Sequence, residues 1–197
     1  QPETAVMVGV STVFGQYNLG DTALDPEWVN WGQLGGFSDR GPTSMATLGV
    51  HVLANGFFGS GNIPLNWLTG GDWAVDYWSG TSRSGPEVGG ILALIYDAFY
   101  QEMGRYPAWH EARTLLMNGA RTLYSDPMAQ GAGMANALNA VEIIRGDRGV
   151  MIANEDGDPY WVPGDYRGDE FYGFARGLFA GETATETFTV DNNGLVA

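Results

Sequence analysis

The chain has 197 residues, of which 44% are hydrophobic and only 16% are charged, a balance that favours a folded domain over disorder. The formal net charge is −14, from 23 acidic residues and 9 basic residues that are all arginine. Such a surface repels phosphate groups, so we expect neither nucleic acid nor an anionic membrane as a partner. The chain has no cysteine, which excludes disulfides, thiol catalysis and cysteine-type zinc sites. No apolar run reaches the roughly 20 residues needed to cross a bilayer.

The ends of the sequence indicate a piece of a longer polypeptide. The first residue is Gln1, and no signal peptide precedes the first apolar run. Residues 183–190 alternate between polar and apolar as a strand does, and a turn is predicted at residues 191–194, just before the chain stops. Because one strand and one turn do not make a stable sheet, we expect further chain at both ends.

The first part of the chain predicts short strands separated by loops. A valine-rich run at residues 5–12 is typical of a buried strand, and residues 50–53 and 73–78 are further strand candidates. The intervening segment 14–47 is rich in Gly, Asn, Asp and Ser and predicts a loop. These three runs are the candidate sheet strands that precede the first helix.

Three helices are predicted in the middle of the chain. The first covers residues 86–103, with a proline in its first turn and Gly104 as its end. Its first half has no polar face, so we expect that half to be buried on all sides. A more amphipathic helix is predicted over residues 107–120 and a third over residues 134–145.

The character of the sequence changes after Gly146, where we place a domain boundary. Residues 1–146 form the first predicted unit, and residues 147–197 form an acidic, aromatic linker with the first strands of a downstream β domain. The acidic turn at residues 154–158 could hold a calcium ion, but it lacks the EF-hand order and a solvated turn is the better prediction. We therefore expect no cofactor and no catalytic metal, with a structural calcium ion left open.

Ser82 is the strongest candidate for chemistry, because it lies in a small-residue loop that runs into the first helix. A serine at such a junction is near the positive end of the helix dipole, which favours negative charge that develops nearby. Its backbone N–H can point at a forming oxyanion, but its hydroxyl needs a base within hydrogen-bond reach to act as a nucleophile. A core helix without a catalytic role is the alternative interpretation.

The segment around Ser82 resembles the nucleophile motif of the subtilisin-like serine peptidases, or subtilases, which begins Gly-Thr-Ser-x-Ala/Ser-x-Pro-x-Val. The matching positions are Gly80, Thr81, Ser82, Ser84, Pro86, Val88, Gly89 and Gly90. The resemblance implies that Ser82 is the nucleophile and donates its N–H to the oxyanion hole, while Thr81 and Gly80 shape the loop. Arg83 and Glu87 stand where many subtilases have Met and His, neither of which does covalent chemistry in the family.

Other stretches resemble subtilase segments in the order of the family. Residues 37–42 resemble a Phe-Ser-x-x-Gly-Pro segment, and residues 50–56 resemble an Asp-Val-x-Ala-Pro-Gly strand and turn, with Leu53 and Asn55 as substitutions. Residues 131–140 resemble the closing Gly-x-Gly-x-x-Asn-x-x-x-Ala helix. The resemblance implies an α/β, parallel-sheet, subtilisin-like fold that is incomplete, with the later strands and helices only, followed by the start of a β-sandwich-like region.

The other catalytic groups of a subtilase have no match in this sequence. Subtilases also require an Asp, a His in a His-Gly-Thr/Ser context and an Asn that donates to the oxyanion. The two histidines are His51, for which we expect a structural role, and His110, which we expect on the surface or in packing. The resemblance therefore implies that the N-terminal portion of the same peptidase, as a covalent or separate chain, supplies the missing groups. We expect negligible activity from the chain alone, because loss of triad members leaves only residual catalysis.

A second serine string resembles the family motif only superficially. Residues 43–47 read Thr-Ser-Met-Ala-Thr, but this string lacks the preceding Gly and the following Pro, and no helix is predicted after it. We therefore expect Ser44 to be an ordinary loop residue.

Two functions from different classes fit these observations. The first is a secreted serine endopeptidase, extracellular or at the cell surface, that cleaves a protein or peptide substrate through an acyl-enzyme at Ser82. The alternative is a non-catalytic, subtilase-like structural module of a cell-surface or extracellular assembly. The presence or absence of the Asp and His motifs in the polypeptide that precedes Gln1 would distinguish them.

Overall fold

The computed structural model has an α/β architecture. It describes residues 5–12, 32, 34–42, 49–57, 59–62, 75–123, 126–147, 150–154, 180–181, 183 and 188–192. In chain order the elements of these segments are β1 (Val8–Ser11), β2 (Val52–Asn55), β3 (Gly59–Asn62), β4 (Val75–Trp78), α1 (Thr81–Met103), α2 (Trp109–Gly119), α3 (Pro127–Gln130), α4 (Ala137–Ile144), β5 (Val150–Asn154) and β6 (Phe188–Asn192). None of the described helices is both long enough and apolar enough to span a membrane.

Strand β2 has neighbours on both of its edges. It pairs in parallel with β1 along its whole length, as expected for short apolar strands that are buried on both faces. On its other edge the Leu53 N–H donates to the Gly133 carbonyl, and the Leu53 carbonyl accepts from the Ala135 N–H, both at 2.8 Å. The end of β2 is therefore a fixed position in the fold.

The core lies between the β1–β2 pair and helices α1, α2 and α4. Helices α2 and α4 approach each other closely at Gly119, where a Cβ would lie 2.8 Å from the backbone nitrogen of Ala140. The core side chains with almost no exposure are Val52, Ala54, Val88, Ile95, Leu116 and Ala140. Burial of each large aliphatic side chain contributes about 1.5–3 kcal/mol, which stabilises the sheet and its helices as one unit.

Helix α1 begins at Thr81, earlier than the sequence predicts, so the prediction that Pro86 starts the helix is wrong. Because Pro86 lies inside the helix and has no N–H, it cannot donate to the carbonyl of Ser82, four residues before it. The predicted end is confirmed: Gly104 adopts φ 66°, and its N–H donates to the Tyr100 carbonyl. Ser82 thus lies inside the first turn of α1 and not in the loop before it.

The first half of α1 is not buried on all sides by the residues that the structure describes. Val88 is buried against the core, whereas Gly89, Gly90, Ala93 and Leu94 are exposed, and Leu94 is 53% exposed. A Cβ at Gly89 or Gly90 would meet no atom within 4 Å. We call these four exposed residues the open face of α1.

The shorter helices are limited by their caps. The Glu111 carboxylate accepts the Ala108 N–H at 2.7 Å, which fixes the start of α2 later than predicted. The Asn136 side chain accepts the Asn139 N–H at 3.1 Å and starts α4, so Asn136 of the closing motif is a helix cap. Helix α3 was not predicted, because its single turn has no apolar periodicity.

The remaining strands form two antiparallel pairs, β3 with β4 and β5 with β6. Strand β6 extends to Asn192, so the turn predicted to begin at Asp191 is wrong there. Pairing with β5 places Asp191 opposite Met151 and overrides the turn preference of the Asp-Asn sequence. Strand β5 also contacts α2. The domain boundary at Gly146 stays a prediction.

Candidate functional site

Ser82 is exposed in the first turn of α1, two residues after a glycine with an unusual backbone conformation. Gly80 adopts φ 154° and ψ 155°, a region that is essentially restricted to glycine. Thr81 is exposed as well. The structure thus places the three predicted loop residues together, with the nucleophile candidate open to solvent at the start of a helix that is buried on its other side.

The start of α1 is suited to a developing negative charge. The Ser82 N–H belongs to the first four N–H groups of the helix, which have no acceptor in a preceding helical turn. The first turn of α1 contains no acidic residue, so no side chain there neutralises the positive end of the helix dipole. An oxyanion that forms beside the Ser82 hydroxyl would therefore be stabilised by the helix start.

Hydrogen bonds bind the turn that carries Ser82 to the end of β2. The Gly80 N–H donates to the Gly56 carbonyl at 2.7 Å. The fully buried Ser84 donates its hydroxyl to the Ala54 carbonyl at 3.3 Å. A Cβ at Gly56 would contact the Ser84 hydroxyl and lie 2.8 Å from the Gly80 carbonyl oxygen. The close approach of the two segments therefore requires glycine at position 56.

Glu87 and Arg83, which are four residues apart on α1, contact two different strands. The Asn55 N–H at the end of β2 lies near the Glu87 carboxylate. Partial withdrawal from water raises the pKa of Glu87, and the Asn55 N–H and the positive charge of Arg83 oppose that rise. The Arg83 guanidinium lies 5.9 Å from the ring centroid of Trp78 in β4. The two departures from the subtilase motif therefore contact β2 and β4.

His51 has a structural position. It is buried, and its Nδ1 accepts the Met7 N–H at 2.8 Å, so the neutral ring carries its proton on Nε2. Burial, with a further contribution from the charge of Arg113, lowers the pKa of His51 to about 3. A buried imidazole that remains neutral and joins the residue before β1 to the residue before β2 has a structural role, as expected from the sequence.

His110 lies half-buried on α2, edge-on to the ring of Trp109 with 5.7 Å between centroids. The neighbouring Glu111 forms an ion pair with Arg105 at 2.7 Å, and the hydrogen bond from Arg105 lowers the pKa of Glu111. No contact in the described part of the chain joins His110 to Ser82. Neither histidine of the chain is thus placed as the base for the candidate nucleophile.

Ser38 in the Phe-Ser-x-x-Gly-Pro segment is a structural residue. It is buried, and its hydroxyl accepts the Val10 N–H at 3.0 Å, which holds the 34–42 segment against β1. Ser44 and residues 155–158 of the acidic turn lie outside the described residues. Within the described segments no three histidine or acidic side chains are grouped so that they could hold a metal ion.

The sequence alone indicates no role for Ser84 or Asn55, and Glu87 stands there only as a departure from the subtilase motif. Their roles depend on the packing of α1 against the end of β2. These two segments are about thirty residues apart in the chain. The available signal was indirect: Asn55 and Glu87 are both positions where the sequence departs from a subtilase pattern. Two departures that contact each other are a pattern that sequence analysis can look for.

The chain matches the model of one protein family. The family model described as "Subtilase family" matches residues 6–140, more than half of the chain. The curated protein Pyrolysin from Pyrococcus furiosus is 30% identical over 155 residues, which cover 73% of this chain and 10% of Pyrolysin. The chain therefore spans only a small part of the length of this relative.

Solved protease structures are similar over the same share of the chain. The self-cleaved protease domain of PatA matches with a TM-score of 0.48 and 24% identity, covering 73% of this chain and 42% of that one. A lanthipeptide protease matches with a TM-score of 0.48 and 17% identity, covering 73% of this chain and 43% of that one. This chain thus spans less than half of each of these structures.

Proposed function

Because the chain belongs to the subtilase family, we propose that it carries the nucleophile of a serine endopeptidase. The Ser82 oxygen attacks the carbonyl carbon of the scissile peptide bond, and its proton passes to an imidazole base. The same proton then goes to the leaving amine, which departs and leaves an acyl-enzyme for water to hydrolyse. The exposed position of Ser82 in the first turn of α1 is the observation that supports this role.

The backbone of the same turn is proposed to stabilise the tetrahedral intermediate. The Ser82 N–H is one donor, and the family resemblance implies that an Asn outside this chain is another. Loss of one such donor typically lowers the rate by about 10²–10³-fold. The absence of an acidic residue from the first turn of α1 supports this assignment, since a carboxylate there would repel the oxyanion.

The base, its Asp partner and the oxyanion Asn are proposed to come from the N-terminal portion of the same peptidase, as a covalent or separate chain. The buried, low-pKa His51 is unsuited to the task. The open face of α1 supports the proposal that a second portion packs against this helix, because no residue in the described part of the chain covers it. The protein or peptide substrate is then bound between the two portions, outside the cell or at its surface.

The test is hydrolysis of a protein substrate by the chain assembled with its N-terminal portion. Ser82→Ala should lower the turnover number by about 10³–10⁶-fold. Ser44→Ala is the matched control and should leave turnover unchanged. Full activity in the Ser82→Ala protein would contradict the proposal, and no hydrolysis by the wild-type assembly would favour the structural-module alternative.

A further inference from the structure

We propose that Ser84 is a positioning residue, which holds the turn that carries Ser82 against the end of β2, and that Glu87 assists it from the next turn of the helix. The buried hydrogen bond from Ser84 to Ala54 and the approach of Glu87 to the Asn55 N–H form what we call the β2 clamp. This inference rests on the proposed role of Ser82 as the nucleophile, and it assigns neither residue to the covalent chemistry.

The geometry of the helix places the side chains of Ser84 and Ser82 on opposite sides of α1. Two residues apart on an α-helix, side chains point in nearly opposite directions, because each residue turns the helix by about 100°. Accordingly Ser82 is exposed and Ser84 is fully buried against Ala54. A rotation or slip of the first turn that breaks the bond of Ser84 must therefore displace the hydroxyl of Ser82.

Glu87 extends the clamp to the second turn of α1. Asn55 stands at the proline position of the Val-x-Ala-Pro-Gly pattern, and a proline there would have no N–H. Glu87, which stands at a position where His is common, has its carboxylate near the N–H that Asn55 provides. The two departures therefore complement each other, and Arg83 on the same side of α1 adds a positive charge near the carboxylate. A proline at position 55 could not offer this N–H to residue 87.

The positioning role predicts a specific kinetic signature. In the assembly with the N-terminal portion, Glu87→Ala should lower the maximal rate of Ser82 labelling by a fluorophosphonate about 10-fold, and Ser84→Ala by about 3- to 10-fold. The concentration for half-maximal labelling should stay unchanged, because the probe still binds. Glu87→Gln keeps an acceptor oxygen and should label like the wild type. Glu102→Ala, which removes an exposed carboxylate 3.9 Å from Arg145, is the matched control and should have no effect.

Hydrogen exchange at the Asn55 amide tests the clamp without activity. Glu87→Ala should accelerate this exchange about 10-fold, and Glu87→Gln should not. Unchanged exchange in Glu87→Ala overturns the clamp. Unchanged labelling in both Glu87→Ala and Ser84→Ala, or a loss of labelling that only follows a fall in Tm, overturns the positioning role. A wild-type assembly that takes no label overturns the proposed function and the positioning role together, while the exchange result still decides whether the contact exists.

Discussion

Gly56 is the residue on which the packing of α1 against β2 depends most directly. We expect Gly56→Ala to lower the free energy of unfolding of the chain by about 1–3 kcal/mol, because a methyl group would press on Ser84, on the Gly80 carbonyl and on Val10. The carbonyl belongs to the backbone and cannot rotate away. Urea denaturation measures the change.

The control for Gly56 is another glycine, Gly90, where a Cβ meets no atom within 4 Å. Gly90→Ala should raise the free energy of unfolding by up to about 1 kcal/mol, because alanine favours the helix. Equal effects of the two substitutions would show that position 56 is not crowded.

His51 should make the stability of the chain depend on pH. Its pKa is about 3 in the folded chain and near 6.5 when unfolded, so only the unfolded chain takes up the proton between those values. Stability is then complete above about pH 6.5 and falls as the pH drops toward 3, by at most about 1.4 kcal/mol per pH unit. Denaturation midpoints across this range measure the slope.

The contribution of His51 is obtained by difference, since carboxylates such as Glu111, whose pKa is lowered by the hydrogen bond from Arg105, also make stability depend on pH. His51→Gln should flatten the dependence between pH 4 and 6.5, although it lowers stability at neutral pH. A slope that survives His51→Gln would contradict a buried, neutral His51.

At the scale of one element, α1 should act as a docking surface for the N-terminal portion. Gly89→Leu places a large side chain on the open face, where the chain alone has room for it. The isolated chain should therefore fold normally, since leucine is a better helix former than glycine. Binding to a separately expressed N-terminal portion should weaken at least about 10-fold, as measured by isothermal titration calorimetry.

Two variants control for changes that do not concern docking. Gly89→Ala adds only a methyl group and should weaken binding less than Gly89→Leu does. Gln101→Leu adds a large apolar side chain at an exposed position farther along α1 and should leave binding unchanged. Unchanged binding in Gly89→Leu would exclude the open face from the interface.

For the whole molecule, local sequence signals predicted several helices and strands but not the tertiary contacts between them. The valine-rich runs and the apolar run after Pro86 correctly indicated β1, β2 and most of α1, because periodicity and caps are local properties. The start of α1 and the strand at Asp191 were misjudged, because tertiary contacts overrode the signals of proline and of a turn sequence.

The candidate site divides in the same way. The motif predicted that Gly80, Thr81 and Ser82 lie together, since they are adjacent in the chain. The contacts of Ser84 and Glu87 with β2 depend on long-range packing, which periodicity does not encode. The first half of α1 was expected to be buried on all sides, but the described residues cover only one side of it.

Mass-spectrometric mapping of a fluorophosphonate adduct tests the central claim most directly. The chain, assembled with its N-terminal portion, is treated with the probe and digested, and the modified residue is identified. The account predicts one adduct on Ser82, its absence in Ser82→Ala, and little or no labelling of the chain alone. An adduct on Ser44 or another residue, or none in a correctly folded wild-type assembly, would contradict it.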